Sequence, residues 1–332
     1  MQSLSTQIVE LLLAIGFTAT NAGIRVELIK NSVTVLYSTR FSLTSPMPTF
    51  SSFDTTAFRY QQWGEEQSPT ALVIGIHGFC GAACDFNGLA HFLCQQNPQL
   101  GLVAYNLRGM GLDPVTDRRG DIESADYWAR DLVSFCSHIR ALYPDVPLIW
   151  CAESLGALIA CDTLSSYPHA RGFCDALILY SPVVAIDQQV ASWKIALARG
   201  IAGLFPEKRI PLDLFTGSQS VQVTLGAADH TAQSSTNSWH VSSFSMRLLN
   251  AIASLIEGMP HAAASLNHPT LVINGGHDFF TRPAALEHWL TFLPATNSVE
   301  HSYFPESYHL MLYDSHAEAI FSRTADWLAQ KI

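Results

Sequence analysis

The chain has 332 residues, of which 48% are apolar and only 14% charged, and its formal net charge is -10. The acidic excess argues against nucleic acid and against anionic lipid head groups as partners, and no uninterrupted apolar stretch reaches the ~18 residues of a membrane span. The length is large for one compact domain and suits an apolar core that carries an insertion.

Residues 1–52 read as an N-terminal extension. Leu4, Ile8, Val9, Leu11, Leu12, Leu13 and Ile15 predict a short helix that ends near Gly16. Met1 to Gln7 has no basic residue and Glu10 interrupts the apolar run, so the segment departs from a secretory signal. The expectation is a cytoplasmic protein whose first helix docks or touches a membrane surface weakly, with export through residues 1–23 as the alternative. Ile24 to Ile29 and Val33 to Arg40 then read as two short strands.

From Phe53 onward the pattern is regular. Strands are predicted at Thr55–Trp63, Ala71–Ile76, Leu102–Tyr105, Pro147–Cys151, Ala176–Tyr180, Thr270–Ile273 and Ser298–Phe304. They alternate with helical patterns at Cys84–Gln95, Tyr127–Leu142, Leu155–Ser166, Pro283–Phe292 and Ser315–Lys331. Such alternation predicts an α/β fold with a mainly parallel twisted sheet covered by helices on both faces. Residues 53–182 supply its first part and 269–332 its second.

Between them, residues 183–268 break the alternation and read as an inserted cap. The segment holds a helical pattern from Val190 to Phe205, a Ser/Thr-rich stretch from Thr216 to Ser238, and a second helical pattern from Phe244 to Met259. Its apolar residues, among them Trp193, Ile201, Leu204, Phe205, Leu248 and Ile252, either line a binding tunnel or pack the cap onto the core.

Ala152-Glu153-Ser154-Leu155-Gly156 follows an apolar strand and precedes a helix, which puts Ser154 on a strand-to-helix turn. So sharp a turn demands small residues two before and two after the serine, and it exposes the hydroxyl to a reactant. A glycine-rich loop, His77-Gly78-Phe79-Cys80-Gly81, ends an earlier strand, and its N–H groups suit a developing oxyanion. We assign the oxyanion hole to the amides of Phe79 and Leu155 and place His77, Gly78 and Glu153 against the substrate. Asp278, after Gly275-Gly276, is the orienting acid, and His309, in the loop after the last strand, is the base. His277, His301 and His316 compete for that role, but His277 sits beside the acid, His301 on the last strand and His316 at a helix start. A base must sit on a loop end facing the serine turn, which favours His309. Serine, carboxylate and imidazole together form a relay in which the imidazole deprotonates the hydroxyl and the carboxylate fixes its tautomer.

On four pieces, His77-Gly78-Phe79, Tyr105-Asn106-Leu107-Arg108-Gly109-Met110-Gly111, Glu153-Ser154-Leu155-Gly156 and the Asp278/His309 pair, the chain resembles the α/β-hydrolases, and among them the monoacylglycerol lipase and lysophospholipase branch. The resemblance runs from about Phe53 to the C-terminus. It implies a serine carboxylic ester hydrolase acting on monoacylglycerols, lysophospholipids or short-to-medium acyl esters through an acyl-enzyme, without cofactor. An aminopeptidase or cofactor-free peroxidase on the same core is the alternative, and a non-catalytic binding module is a third. An aminopeptidase needs cap carboxylates, for which Glu207, Asp213 and Asp229 are candidates. Two departures stand out: Ala152 replaces the usual glycine, and Asn106 stands where aspartate is common, so a salt link of the relatives is expected to be missing.

Seven cysteines, an odd number without Cys-x-x-Cys spacing, suggest buried thiols in a reducing compartment. Thirteen histidines form no His-Glu-x-x-His or comparable cluster, so no metal is expected.

Overall fold

Runs of apolar residues that lack alternation can satisfy themselves as strands only if both faces of their sheet are covered. Five such runs form the middle of the protein in the computed structural model, which describes residues 24–29, 32–37, 47–64, 69–185, 203–211, 239, 241–295 and 298–331. The chain divides into two compact units at Met47/Pro48. In the first, β1 (Ile24–Ile29) and β2 (Ser32–Tyr37) pair as an antiparallel hairpin, with Ile24 opposite Tyr37. The helix expected near residues 4–15 lies outside the described residues.

The second unit is built on an eight-stranded sheet. Its strands are β3 (Thr49–Ser51), β4 (Ala57–Trp63), β5 (Ala71–Ile76), β6 (Leu100–Tyr105), β7 (Leu148–Glu153), β8 (Ala176–Tyr180), β11 (Thr270–Gly275) and β12 (Val299–Phe304). A separate short pair joins β9 (Arg209–Pro211) to β10 (Ser243–Ser245). The order across the large sheet is β12-β11-β8-β7-β5-β6-β4-β3; all neighbours are parallel from β12 to β6, and β4 and β3 are antiparallel. β5, β6, β7, β8 and β11 are buried at every residue, as their unbroken apolar runs require. Because β3 belongs to this sheet, the N-terminal unit ends a few residues before the expected boundary at 52.

Helices cover both faces. α1 (Asn87–Gln96) and α6 (Ala317–Lys331) bury Leu89, Leu93, Ile320 and Trp327 against one side. α2 (Asp126–Leu142), α3 (Leu155–Ser166), α4 (Met246–Ala263) and α5 (Pro283–Leu290) bury Trp128, Phe135, Ile159, Leu248 and Trp289 against the other. α4 packs beside α3, so this part of the stretch expected as a cap joins the helix layer of the core. It starts later than its apolar pattern because Ser243 and Phe244 pair with β9, and Ser245 Oγ then caps the helix by accepting from Leu248 N at 3.1 Å. It also runs past Pro260, whose missing N–H costs the ladder one bond, to the Ile256 carbonyl, shortly before the helix ends. Of the residues expected to line a tunnel, Leu248 is core, Leu204 and Phe205 are exposed, and Trp193 and Ile201 lie outside the described residues. No described helix is long and apolar enough to cross a membrane.

The chain runs from β5 outward to β6 and then returns across β5 to β7. That reversal opens a crevice at the carboxyl ends of β5 and β7, where ligands bind in open α/β sheets.

Candidate active site

Ser154 sits between the last residue of β7 and the first of α3, with φ 53° and ψ -114°, a conformation that a side chain adopts only under constraint. The constraint is visible on all sides. Ser154 N donates to Tyr180 O at 3.0 Å in β8, and Ser154 O accepts from Ala157 N at 3.0 Å in the first turn of the helix. Gly156 lies so close to β5 that a Cβ there would collide with the Ile76 carbonyl oxygen, so no other residue allows the helix to start at this depth. Ala152 fits without exposure, paired with Ile76 in the sheet.

The loops after β11 and β12 bring the other two groups to this turn. Gly275, at the end of β11, has the Ser307 and Tyr308 carbonyls packed against its Cα, which draws the β12 loop over the β11 loop. Asp278 Oδ1 accepts from Phe280 N at 2.8 Å and Thr281 N at 3.1 Å, so the carboxylate is aimed before it meets the imidazole. His309 Nδ1 lies 2.9 Å from Asp278 Oδ2, and Nε2 lies 2.8 Å from Ser154 Oγ. The acceptor-only carboxylate assigns the proton to Nδ1 and leaves Nε2 to accept from the serine. Ser154, Asp278 and His309 are 8%, 5% and 3% exposed, dry enough to strengthen these bonds while leaving the hydroxyl reachable. The Phe280 ring tilts over His309 at 4.7 Å between centroids.

The competing histidines are occupied elsewhere. His301 meets Asn274 Oδ1 at 2.7 Å, His316 meets Asp314 Oδ1 at 3.0 Å, and the exposed His277 lies 4.0 Å from Glu306.

Phe79 follows β5 beside the serine turn, and its ring packs on Phe244 of β10 at 4.4 Å. Among the described residues neither the Phe79 amide nor the Leu155 amide has a hydrogen-bond partner. The Cα of Gly78 faces the serine closely, a Cβ there lying 3.3 Å from Ser154 Cβ. His77 and Glu153, expected to touch substrate, are corrected to supporting groups. His77 is fully buried; its Nδ1 donates to Gly78 O at 2.9 Å and its Nε2 accepts from Leu107 N at 2.9 Å. Burial lowers its pKa to about 4, so the ring stays neutral and both nitrogens serve the loop. Glu153 is buried and accepts from Leu312 N at 3.3 Å, so its carboxyl group is engaged by the loop that follows His309.

Several buried charged groups, among them Arg108, Asp131, Asp314 and Asp85, have structural roles that the sequence analysis did not assign. Arg108 makes paired bonds to Asp131 at 2.7 Å and to Asp54 at 2.7 and 3.1 Å, and Ser52 Oγ donates to Asp131, so the segment before β4 is tied to α2. Burial opposes the Asp54 charge, but bonds from Arg108 outweigh it and hold the carboxyl well below the usual range. Asp314 accepts from Ser307 Oγ, Tyr308 N and His316 N at 2.9–3.2 Å, which closes the His309 loop on itself. Asp85 accepts from Tyr313 Oη at 2.5 Å and from Ala82 N at 2.9 Å. A charge inside an apolar run, as in Ala82-Ala83-Cys84-Asp85-Phe86, is the one sequence signal that points to such groups. Asn106 Oδ1 accepts from Ala83 N at 2.9 Å and so ties the end of β6 to the turn at residues 83–86 without charge. All seven cysteines are free thiols, and burial pushes Cys80 and Cys84 up to about 12, which leaves them unreactive.

A mainly apolar pocket of about 430 Å³ reaches Phe280, with Val184, Phe279, Arg282, Ala285, His288 and Phe292 among its other lining residues. Phe280 is shared between the pocket and His309. Among the described residues no three His, Cys, Asp or Glu side chains stand together as a metal site.

Similarity to known proteins agrees with this geometry. The family model described as serine aminopeptidase, S33, matches residues 67–316. A monoacylglycerol lipase of Mycolicibacterium smegmatis is 24% identical over 283 residues, covering 82% of this chain and 93% of its own. Among solved structures, the monoacylglycerol lipase of Paleococcus ferrophilus superposes with a TM-score of 0.69 at 17% identity, over 83% of this chain and 99% of that one. A soluble variant of monoglyceride lipase from Saccharomyces cerevisiae, solved with a substrate analogue, gives 0.70 at 16% identity, over 89% and 98%. The fold is that of the α/β-hydrolases, and the chain belongs to the serine aminopeptidase S33 family as a hydrolase of its monoacylglycerol lipase and esterase-like branch.

Proposed function

We propose that this protein is a serine carboxylic ester hydrolase that cleaves monoacylglycerols, lysophospholipids or short-to-medium acyl esters through an acyl-enzyme. The observation that carries the reading is the hydrogen-bonded run from Asp278 through His309 to Ser154, at 2.9 and 2.8 Å, with the serine on a strained turn. In this mechanism Ser154 Oγ attacks the ester carbonyl while His309 Nε2 takes its proton, and the imidazolium is stabilised by Asp278. The tetrahedral oxygen takes its two hydrogen bonds from Phe79 N and Leu155 N, each worth roughly 3–4 kcal/mol in the transition state. His309 returns the proton to the departing alcohol, and water then repeats the sequence to release the acid. The apolar pocket beside Phe280 supports an acyl group as the substrate portion recognised, its volume lying in the range of small-molecule sites.

The family description favours one other reading, an aminopeptidase. That activity requires a carboxylate free to hold a substrate ammonium. Glu207 is exposed on the surface, 3.8 Å from Arg247, whose guanidinium bonds Asp121; Asp213 and Asp229 lie outside the described residues. Hydrolysis of p-nitrophenyl esters of two to sixteen acyl carbons, 1-monoacylglycerols and an aminoacyl amide tests both. Serine-dependent ester turnover with an acyl-length optimum is expected; amide cleavage without ester cleavage would replace the esterase reading with the aminopeptidase one.

A further inference from the structure

Glu153 is the residue before the nucleophile, and its carboxyl group is engaged by the loop that follows His309. It reaches the short 3₁₀ turn Met311–Tyr313, which starts two residues after His309, and accepts from Leu312 N at 3.3 Å and from Met311 N. Its other oxygen lies on the side of Gly78, 3.9 Å from where a Cβ would stand. One side chain therefore joins the serine turn that carries it to the loop of the base, beside Gly78 of the oxyanion loop. Asp85 holds the same turn through Tyr313 Oη. Met311 and Leu312 are buried, so their amides have no water to replace Glu153 as acceptor.

We propose that Glu153 is a positioning residue for the reaction: its carboxyl group latches the Met311–Tyr313 turn to the nucleophile turn and so fixes His309 Nε2 against Ser154 Oγ. The inference rests on the proposed hydrolytic role of Ser154 and His309. The groups that face Glu153 are Asp85 from the 83–86 turn, Tyr313 from the latched turn, Tyr180 from β8 and Cys151 on its own strand, and none of them is a cation. Burial, and then the neighbouring Asp85, raise its pKa to about 8, while Asp85 is raised by burial to about 6. At neutral pH the latch carries a proton. Above pH 8 two buried carboxylates repel each other, and the base loses its register.

The test compares wild type, Glu153→Ala and Glu153→Gln by steady-state ester hydrolysis from pH 6 to pH 9.5 and by amide hydrogen exchange at Leu312. Loss of one buried acceptor predicts about a ten-fold fall in kcat for Glu153→Ala with KM nearly unchanged, and about ten-fold faster exchange at Leu312. Glu153→Gln, which keeps the acceptor and lacks the titration, restores kcat at pH 7 and remains active above pH 8, where wild type declines. Full kcat and unchanged Leu312 exchange in a folded Glu153→Ala would overturn the latch, as would superimposable pH profiles for wild type and Glu153→Gln. If Glu153→Ala does not fold, the wild-type and Gln profiles decide alone. If wild type cleaves no ester, the hydrolase reading fails by itself, and Leu312 exchange in the variants still decides whether the latch exists.

Discussion

The turn that carries Ser154 and the loop that carries His309 end on the same hydrogen bond but are held by different forces. The serine turn is fixed by backbone pairing to β8 and by the approach of Gly156 to Ile76, both local and steric. The histidine loop is held by buried carboxyl groups, Asp314 from within and Glu153 and Asp85 from segments more than 150 residues away in sequence. Steric placement is indifferent to pH, whereas placement by Glu153 and Asp85, whose pKa values burial raises to about 8 and about 6, is not. The nucleophile is thus the rigid half of the pair, and the base is the half that solution conditions can move.

The largest effect comes from removing either end of the shared bond. Ser154→Ala should lower kcat by ~10⁴–10⁶-fold with the circular-dichroism spectrum and unfolding midpoint preserved. Asp278→Asn should lower kcat by about 10⁴-fold, because Phe280 N and Thr281 N still hold the side chain while an amide donor forces the wrong imidazole tautomer.

Smaller effects separate the two halves. Gly156→Ala forces β5 and α3 apart and should cost roughly 1–3 kcal/mol in urea unfolding, by the same amount at pH 6 and pH 9. Equal stability to wild type would show that the serine turn is not sterically fixed. The acid-held half should behave otherwise. An unfolded chain releases the Glu153 proton near 4.5, while the folded chain keeps it until about 8. Wild type therefore loses stability relative to Glu153→Gln as pH rises across that window, and the difference levels off above it. Urea midpoints of the two proteins that move in parallel from pH 5 to pH 9 would contradict the assignment of Glu153 to a buried, proton-bearing site.

This division also explains what the sequence reveals. The five fully buried strands are readable because continuous apolar runs have few other uses, and the serine turn is readable because its neighbours must be small. Asp278 and His309 follow from chain order and strand ends. The groups that tune the site do not. Arg108 finds Asp54 at a separation of 54 residues, and Tyr313 finds Asp85 at 228, distances over which no local pattern operates. Glu153 and His77 were misread for the same reason: proximity to the nucleophile along the chain suggests contact with substrate, whereas burial turned both toward backbone partners.

The account stands or falls on Ser154 as a covalent nucleophile. Rapid mixing with a p-nitrophenyl ester, quenched in acid and followed by peptide mass spectrometry, tests it most directly. The account predicts a burst of nitrophenolate near one equivalent and an acyl group on the peptide that contains Ser154, both absent from Ser154→Ala. Turnover of the same ester by Ser154→Ala at the wild-type rate, or an acyl group on another residue, would contradict it.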